Sequence, residues 1–403
     1  MRALPNPYAA GTDEHFIFEA LQLAHRGLGW TSPNPPVGAL IVRDGKVIGQ
    51  GWHSHDGEEH AEARALADAG DSRGATCYVS LEPCTHAGRQ PPCCTLLAQA
   101  GVARTVWGCD DADERTAGLA AGVLTASGIT AQGGVLASDC ARFLDHYLVA
   151  HLAGSPFVHL KLALSLDGKA ACAGGHSQWL SGPVSLGYAH YLRQRHDAVL
   201  IGYRSVLYDD PRLSTRREAM QPYRELAPGQ APRNPVRVVL DPRFELVLRL
   251  GQLRLADFSG QFRERFPKLI IAGDAACAPV GFRETAEVTL LPLTGAAAGR
   301  LDFAPLFSAL WALGIRSVLA EGGPGLAREL LRQRSVHKLS LVHTPLLIGA
   351  DGLGFTGEMS CAEIGQCPRL HGARAEVLGA DTLSEGYPPW ALAVLPRGIL
   401  LGA

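Results

Sequence analysis

The chain has 403 residues, 47% of them apolar and 19% charged, a length that predicts two or three domains with ample surface to bury a core. Its 37 basic and 39 acidic residues leave a formal charge of −2, so no net basic field exists to hold nucleic acid, and the balance favours a small-molecule partner. No apolar run approaches the ~18–20 residues of a membrane span, and Met1–Thr12 carries Pro5, Pro7 and Gly11 but no apolar signal core, so a soluble cytoplasmic protein is expected.

In chain order, Asp13 is placed to cap a helix whose apolar positions Ile17, Ala20, Leu21 and Ala24 share one face, with Gly27 to stop it. Pro33-Asn34-Pro35-Pro36 is a rigid loop leading into a strand from Val37 to Val42. Asp44-Gly45 then turns the chain into a return strand over Lys46–Gly49. A helix from about His60 to Ala69 ends at Gly70. Next come a strand over Thr76–Leu81, a helix over Cys93–Ala100, a strand over Arg104–Gly108 and a helix over Ala117–Ser127. This order predicts a three-layer α/β domain of about 145 residues.

A short Gly/Pro-containing break at His151–Pro156 divides a first domain over 1–152 from a second over 153–403. In the second, strands are expected over Phe157–Leu164, Ala198–Ile201, Val236–Leu240, Leu269–Ala272 and Ser317–Ala320. Helices are expected over Ser185–Arg195, Leu306–Leu313 and Leu326–Gln333, the alternation of a parallel α/β sheet. The polar, Pro-rich stretch Arg216–Asn234 reads as an excursion loop.

Ten cysteines without an export signal point to thiols or metal ligands rather than disulfides. Cys77, Cys109, Cys140, Cys172, Cys277, Cys361 and Cys367 are expected to be small buried hydrophobes. Cys84, Cys93 and Cys94 do not fit that description. His60-Ala61-Glu62 opens a helix, Pro83-Cys84 follows a strand, and Pro91-Pro92-Cys93 opens the next helix. One imidazole and two thiolates leave a fourth position open on a zinc ion, the pattern of a catalytic rather than a structural site. Zinc brings the pKa of water towards about 7. Glu62, two residues from His60, is placed to take that proton and return it to a leaving nitrogen. The pattern matches the His-x-Glu and Pro-Cys…Cys signature of zinc nucleobase deaminases, with eight residues instead of two between the cysteines. A closed zinc knot or unrelated thiols are the alternatives. Cys94 can also replace Cys93, although the two prolines suit Cys93 as the residue opening the helix.

Asn34-Pro35-Pro36-Val37-Gly38, His60-Ala61-Glu62 and Glu82-Pro83-Cys84-Thr85-His86-Ala87-Gly88-Arg89-Gln90-Pro91-Pro92-Cys93 resemble the bifunctional deaminase/reductase family of riboflavin biosynthesis, a cytidine-deaminase-like branch marked by the widened cysteine interval. The resemblance implies that His60, Cys84 and Cys93 bind Zn2+ and that Glu62 shuttles protons. The implied reaction replaces the 2-amino group of a diaminopyrimidinone ribosylamine phosphate with oxygen, releasing ammonia. Asn34, His53, His86 and Arg89 are implied as base, ribose or phosphate contacts. One position departs: where the family often carries Asp-Pro-Asn-Pro, this chain reads Asp111-Ala112-Asp113-Glu114, which sets an aspartate near a phosphorylated substrate.

On pattern alone the second half offers Glu321-Gly322-Gly323-Pro324-Gly325, a turn that opens a helix and suits phosphate binding or plain capping equally. Leu160–Lys169, Ser177-Gln178-Trp179 and Ser205–Arg216 resemble, in order, the reductase half of the same family. The implied fold is dihydrofolate-reductase-like. The implied cofactor is NADPH, lying along Ala163, Trp179, Ser205, Asp209, Pro242, Gly323, Pro324, Gly325, Leu326, Ala327, Arg328 and Glu329. The implied substrate contacts are Ser177, Arg193, Leu213, Arg216 and Glu321, with Lys161 added. Hydride transfer would convert the ribosyl group to a ribityl chain. The expected partner is a small phosphorylated pyrimidine, with no nucleic acid and no membrane, and the chain is expected to form a homo-oligomer. The rival readings are a nucleic-acid-editing zinc deaminase, disfavoured by the charge and the wide cysteine interval, and a zinc-stabilised binding protein with decayed sites.

Overall fold

In the computed structural model, which describes residues 5–227, 229–294 and 302–400, the first helix is α1 (Asp13–Ala24). Thr12 caps it, its side chain accepting the His15 N–H at 3.2 Å. The expected cap, Asp13, is spent elsewhere. Its carboxylate takes two hydrogen bonds from Arg104, at 2.8 and 2.6 Å, and one from the Tyr78 hydroxyl at 2.8 Å. Ile17, Ala20, Leu21 and Ala24 are buried, as their spacing requires.

The first unit continues with β1 (Gly38–Arg43), β2 (Lys46–Trp52), α2 (Ala61–Ala69), β3 (Thr76–Leu81), α3 (Cys93–Gln99), β4 (Arg104–Cys109), α4 (Ala120–Ala126), β5 (Thr130–Gln132), α5 (Ala137–Phe143) and α6 (Asp145–Ala153). The sheet order is β2-β1-β3-β4-β5, with β1 antiparallel to both neighbours and β3, β4 and β5 parallel. Ala39, Ile41, Cys77 and Val79 face a core shared with α2, α3 and α4. On the other face α1 meets β1 and β3, and α5 meets β4, which completes three layers. Two glycines set the height of α2 above the sheet. A Cβ on Gly49 would lie 2.4 Å from the Ala65 carbonyl oxygen, and one on Gly51 would lie 2.3 Å from that of Ala61. Larger residues there would lift the helix that starts at His60.

In the second unit the elements are β6 (Phe157–Ser165), β7 (Lys169–Ala171), α7 (Pro183–Arg195), β8 (Ala198–Gly202), α8 (Tyr203–Asp209), α9 (Arg217–Met220), β9 (Val236–Leu240), β10 (Leu269–Asp274), β11 (Val288–Leu293), α10 (Phe303–Ala312), β12 (Ser317–Glu321), α11 (Pro324–Arg332), β13 (Lys338–Thr344), β14 (Leu353–Gly354), β15 (His371–Leu378) and β16 (Asp381–Tyr387). Nine strands form one sheet in the order β11-β10-β9-β8-β12-β6-β13-β16-β15. It is parallel from β11 to β13, and β16 and β15 run antiparallel at one edge. Val158, Leu160, Leu162 and Leu164 of β6 point into a core with α10 and α11. His159, Lys161 and Ala163 alternate to the opposite face.

The chain closes with α12 (Arg397–Leu400), which packs on α5 of the first unit. The compact units are therefore the chain through Gly154 with the segment from Val394, and Ser155–Ala393. The sequence division at 152/153 falls in the last turn of α6, and the assignment of everything beyond 153 to the second domain is corrected for the C-terminal segment. The cysteine expectation also needs correction. Cys77, Cys109 and Cys140 are buried, but Cys172, Cys277 and Cys367 are exposed and Cys361 is partly so, because these four lie outside any core.

Candidate active sites

Helix starts and strand ends build the site of the first unit. His60 is the N-cap residue of α2, Cys93 is the first residue of α3, and Cys84 follows the end of β3. Their donor atoms lie within 4.8 Å of one another. His60 Nδ1 is 3.3 Å from Cys93 Sγ and 3.6 Å from Cys84 Sγ. A tetrahedron with Zn–N of ~2.0 Å and Zn–S of ~2.3 Å has N···S edges of about 3.5 Å. The donor set thus fits the ion in type and in spacing. Hydrogen bonds from Cys93 and His60 pull the Cys84 thiol down to about 4 against its burial, favouring the thiolate that a metal requires. Cys94, the alternative ligand, turns away into the core, its thiol directed at the Pro83 carbonyl at 3.5 Å.

Glu62, one residue into α2, is 4% exposed and hydrogen-bonds Cys93. Burial, then the charge of Cys84, pushes its carboxyl pKa up, the direction that suits a group which must hold a proton. His53 is 2% exposed and packs edge-on against His60 with ring centres 5.6 Å apart. Its Nδ1 lies 3.0 Å from the Glu59 carbonyl, to which it donates as N–H, while Nε2 is buried with no partner. Burial holds the ring neutral, so Nε2 is an acceptor awaiting a donor.

The remaining expected contacts are looser. Asn34 is partly exposed in the loop before β1, its N–H bonded to the Thr31 carbonyl. His86 is turned to Thr116 Oγ1 at 3.1 Å, and Arg89 is 73% exposed with Asp56 at 3.4 Å. The negative charge expected at Asp113 is present, and it is paired within the protein. Arg115 holds that carboxylate through Nε and Nη2 at 2.9 and 2.5 Å, keeping its pKa down to about 2. Glu82 fixes this loop by accepting the N–H groups of Asp111, Gly118 and Ala120 at 3.2, 3.0 and 3.0 Å.

In the second unit, sheet register gathers the polar groups. Lys161 of β6 stands between Glu321 of β12 and Ser340 of β13. Glu321 receives Arg193 from α7 through Nε and Nη2, at 2.9 and 2.5 Å. That guanidinium is therefore already paired in the protein and also donates to the Ser214 carbonyl at 3.3 Å. Arg216 is exposed, with Nη1 on Ser214 Oγ at 3.2 Å. Leu213 packs its side chain into the core with Val206, Val239 and Phe244, so any contact to a substrate there belongs to its main chain.

Along the expected cofactor track, Ser205 Oγ accepts the Gly323 N–H at 3.3 Å and joins the starts of α8 and α11. Asp209 accepts Gln178 Nε2 at 3.0 Å beside Trp179, which is 75% exposed. Pro242 follows β9, Ala163 lies on β6, and Ser177 precedes α7, partly buried. Gly323 caps α11, with Pro324 at its first position, Gly325 exposed and Leu326 partly buried. Ala327 is buried in the core, Arg328 is exposed, and Glu329 pairs with Arg332, so the far end of the track is bound up in the helix itself. One residue escaped the sequence reading. His190 of α7 contacts the main chain of Arg216 at 3.2 Å, and the only signal for it was its place one turn before Arg193.

Residues 10–109 match the cytidine and deoxycytidylate deaminase zinc-binding region, and residues 156–384 match the RibD C-terminal domain. The chain is 35% identical over 377 residues to riboflavin biosynthesis protein RibD of Escherichia coli (strain K12), covering 92% of this chain and 97% of that protein. To the Aquifex aeolicus protein of the same name it is 31% identical over 370 residues, covering 92% and 96%. Among solved structures, the diaminohydroxyphosphoribosylaminopyrimidine deaminase/5-amino-6-(5-phosphoribosylamino)uracil reductase of Thermotoga maritima aligns with a TM-score of 0.77 at 29% identity, covering 93% of this chain and 98% of that one. A cytidine-deaminase-type zinc domain joined to a reductase domain defines a two-domain deaminase/reductase. The chain belongs to the RibD family of riboflavin-biosynthesis proteins. Its cofactors are zinc in the first domain and NADPH in the second.

Proposed function

We propose that the chain deaminates 2,5-diamino-6-(5-phosphoribosylamino)pyrimidin-4(3H)-one and then reduces the ribosyl group to give 5-amino-6-(5-phosphoribitylamino)uracil. The first unit takes the first step and the second unit the second. The observation that carries this reading is the His60–Cys84–Cys93 donor set with the Glu62 carboxyl buried against it. Zinc, when bound, supplies Lewis acidity towards water at the fourth position. Glu62 takes the proton of the attacking water and passes it to the departing amine, which leaves as ammonia. His53 Nε2 accepts a hydrogen bond from the pyrimidine or ribose, and Asn34, His86 and Arg89 line the mouth of the site.

In the second unit NADPH, when bound, supplies the hydride. The Ser205–Gly323 junction and the start of α11 hold its phosphates, with Ala163, Trp179, Asp209 and Pro242 along its length. Arg216 takes the substrate phosphate, while Glu321 holds Arg193 in place and Lys161 and Ser177 face the sugar. Among the described residues no helix is long and apolar enough to cross a membrane, and we assign a cytoplasmic homo-oligomer. Sedimentation of the purified protein tests the assembly.

The central experiment follows ammonia release and NADPH oxidation on the pyrimidine ribosylamine phosphate, with metal analysis of the same sample. Ammonia release from a single-stranded oligonucleotide, and none from this substrate, would refute the reading.

A further inference from the structure

The second unit holds a buried imidazole without a task in this scheme. His190 lies on α7, one turn before Arg193, and is 4% exposed. Its Nδ1 accepts the main-chain N–H of Arg216 at 3.2 Å, and the Ser214 carbonyl opposes, in part, the effect of burial on its ring. Arg193 Nη1 donates to that same carbonyl at 3.3 Å. Two residues on one face of a helix thus grip the loop just where Arg216 leaves it. The loop is pinned from the far side as well, since the Thr215 N–H donates to Asn234 Oδ1 at 2.8 Å. Beyond these anchors the Arg216 side chain is exposed.

The chemistry of the acceptor is specific to this place. Lys161, Arg193 and Arg216 all bear on the imidazole and, after burial itself, hold it neutral down to about 3. A carboxylate at 190 would accept the same N–H but cancel one of the positive charges that an anion needs. A lysine there would offer no lone pair when protonated and would add a fourth cation. A neutral imidazole accepts the hydrogen bond and leaves the local charge unchanged.

We propose that His190 is a positioning residue of the reductase, which acts through the main-chain N–H of Arg216 to set where that guanidinium meets the substrate phosphate. The proposal rests on the assignment of Arg216 to the phosphate. His190 takes no part in hydride transfer, and the Ser205–Gly323 junction does not depend on it.

The test uses the full-length, zinc-loaded enzyme and reads kcat and KM for the deaminated substrate and for NADPH. His190→Asn keeps an acceptor oxygen at the δ position, where Nδ1 now sits, whereas His190→Leu keeps the bulk and loses the acceptor. Leu is expected to raise KM for the phosphorylated substrate about tenfold, equivalent to ~1.4 kcal/mol, with kcat and the KM for NADPH nearly unmoved. Asn is expected to restore most of that loss. If the Leu variant does not fold, His190→Gln replaces it, because its amide sits one atom too far out to meet the Arg216 N–H. Equal KM losses in the Asn and Leu variants, or a fall in kcat at unchanged KM, would overturn the positioning role. Arg216→Ala separates the two claims. If it leaves the substrate KM unchanged, the phosphate assignment fails. If it raises KM while the Leu variant does not, only the role of His190 fails.

Discussion

The two units assemble their sites in opposite ways. In the first, all four chemical groups lie between His60 and Cys93, at helix starts and a strand end that the chain reaches in quick succession. In the second, Lys161, His190, Arg193, Arg216 and Glu321 come from β6, α7, a loop and β12, brought together by the register of a parallel sheet and by hydrogen bonds from α7. A local site is robust to distant change and fails when one ligand is lost. In a dispersed site each group contributes a graded share of binding, and the whole responds to whatever shifts its scaffold.

The largest expected effect breaks the first site outright. Cys84→Ser should remove zinc and abolish ammonia release while NADPH oxidation on deaminated substrate continues, measured by metal analysis and the two half-assays. Glu62→Gln sharpens the point, because it should leave zinc content near normal and lower deamination by ~10²–10⁴. Deamination retained at the wild-type rate would remove Glu62 from its role. In the second site Glu321→Gln should weaken substrate binding by about 10–100-fold, since a charge-assisted pair worth ~1.5–3 kcal/mol loses its anion. NADPH affinity, read by fluorescence titration, should change much less.

A smaller effect concerns the stability of the second unit. His337 accepts the Val158 N–H on Nδ1 at 2.9 Å, and burial pushes its pKa down to about 4. Between the ordinary histidine value near 6.5 and about 4, the unfolded chain binds a proton that the folded chain refuses. This contribution to stability is therefore complete above ~6.5, falls as pH drops through that window and levels off below it. The total change is roughly 3 kcal/mol, at 1.36 kcal/mol per unit. His337→Asn should flatten that part of the pH dependence in denaturant titrations, and an unchanged slope would rule His337 out as its source.

The same contrast explains what the sequence could reveal. The strands β3 and β9 and the helix α2 were legible because their apolar residues form unbroken or one-sided patterns. The His60, Cys84 and Cys93 donor cluster was legible because its spacing is local, and the direction of the Cys94 thiol, which turns to the Pro83 carbonyl, separates it from that cluster. β13 was invisible because it buries Lys338, Ser340 and Thr344, polar residues that a hydrophobic pattern excludes from an interior. Ser340 is satisfied there by His159 at 2.8 Å and Tyr188 at 2.9 Å, partners distant in sequence. β15 escaped for the converse reason, since most of its positions are exposed and no alternation survives. His190 carried no motif of its own, and its partner is a main-chain N–H that no side-chain pattern records.

The return of the C-terminus to α5 has a practical consequence. Leu395 and Ile399 are buried, and a Cβ on Gly398 would lie 3.0 Å from the Ala137 carbonyl oxygen, so the last turn is seated in the first unit. The reductase is thereby spliced into the deaminase as an insert anchored at both ends. A protease that nicks the chain once at Gly154-Ser155 should leave two fragments that still co-purify. A reductase expressed from Ser155 to the C-terminus would carry an orphaned apolar tail, and a deaminase truncated at Gly154 would lack a piece of its own surface.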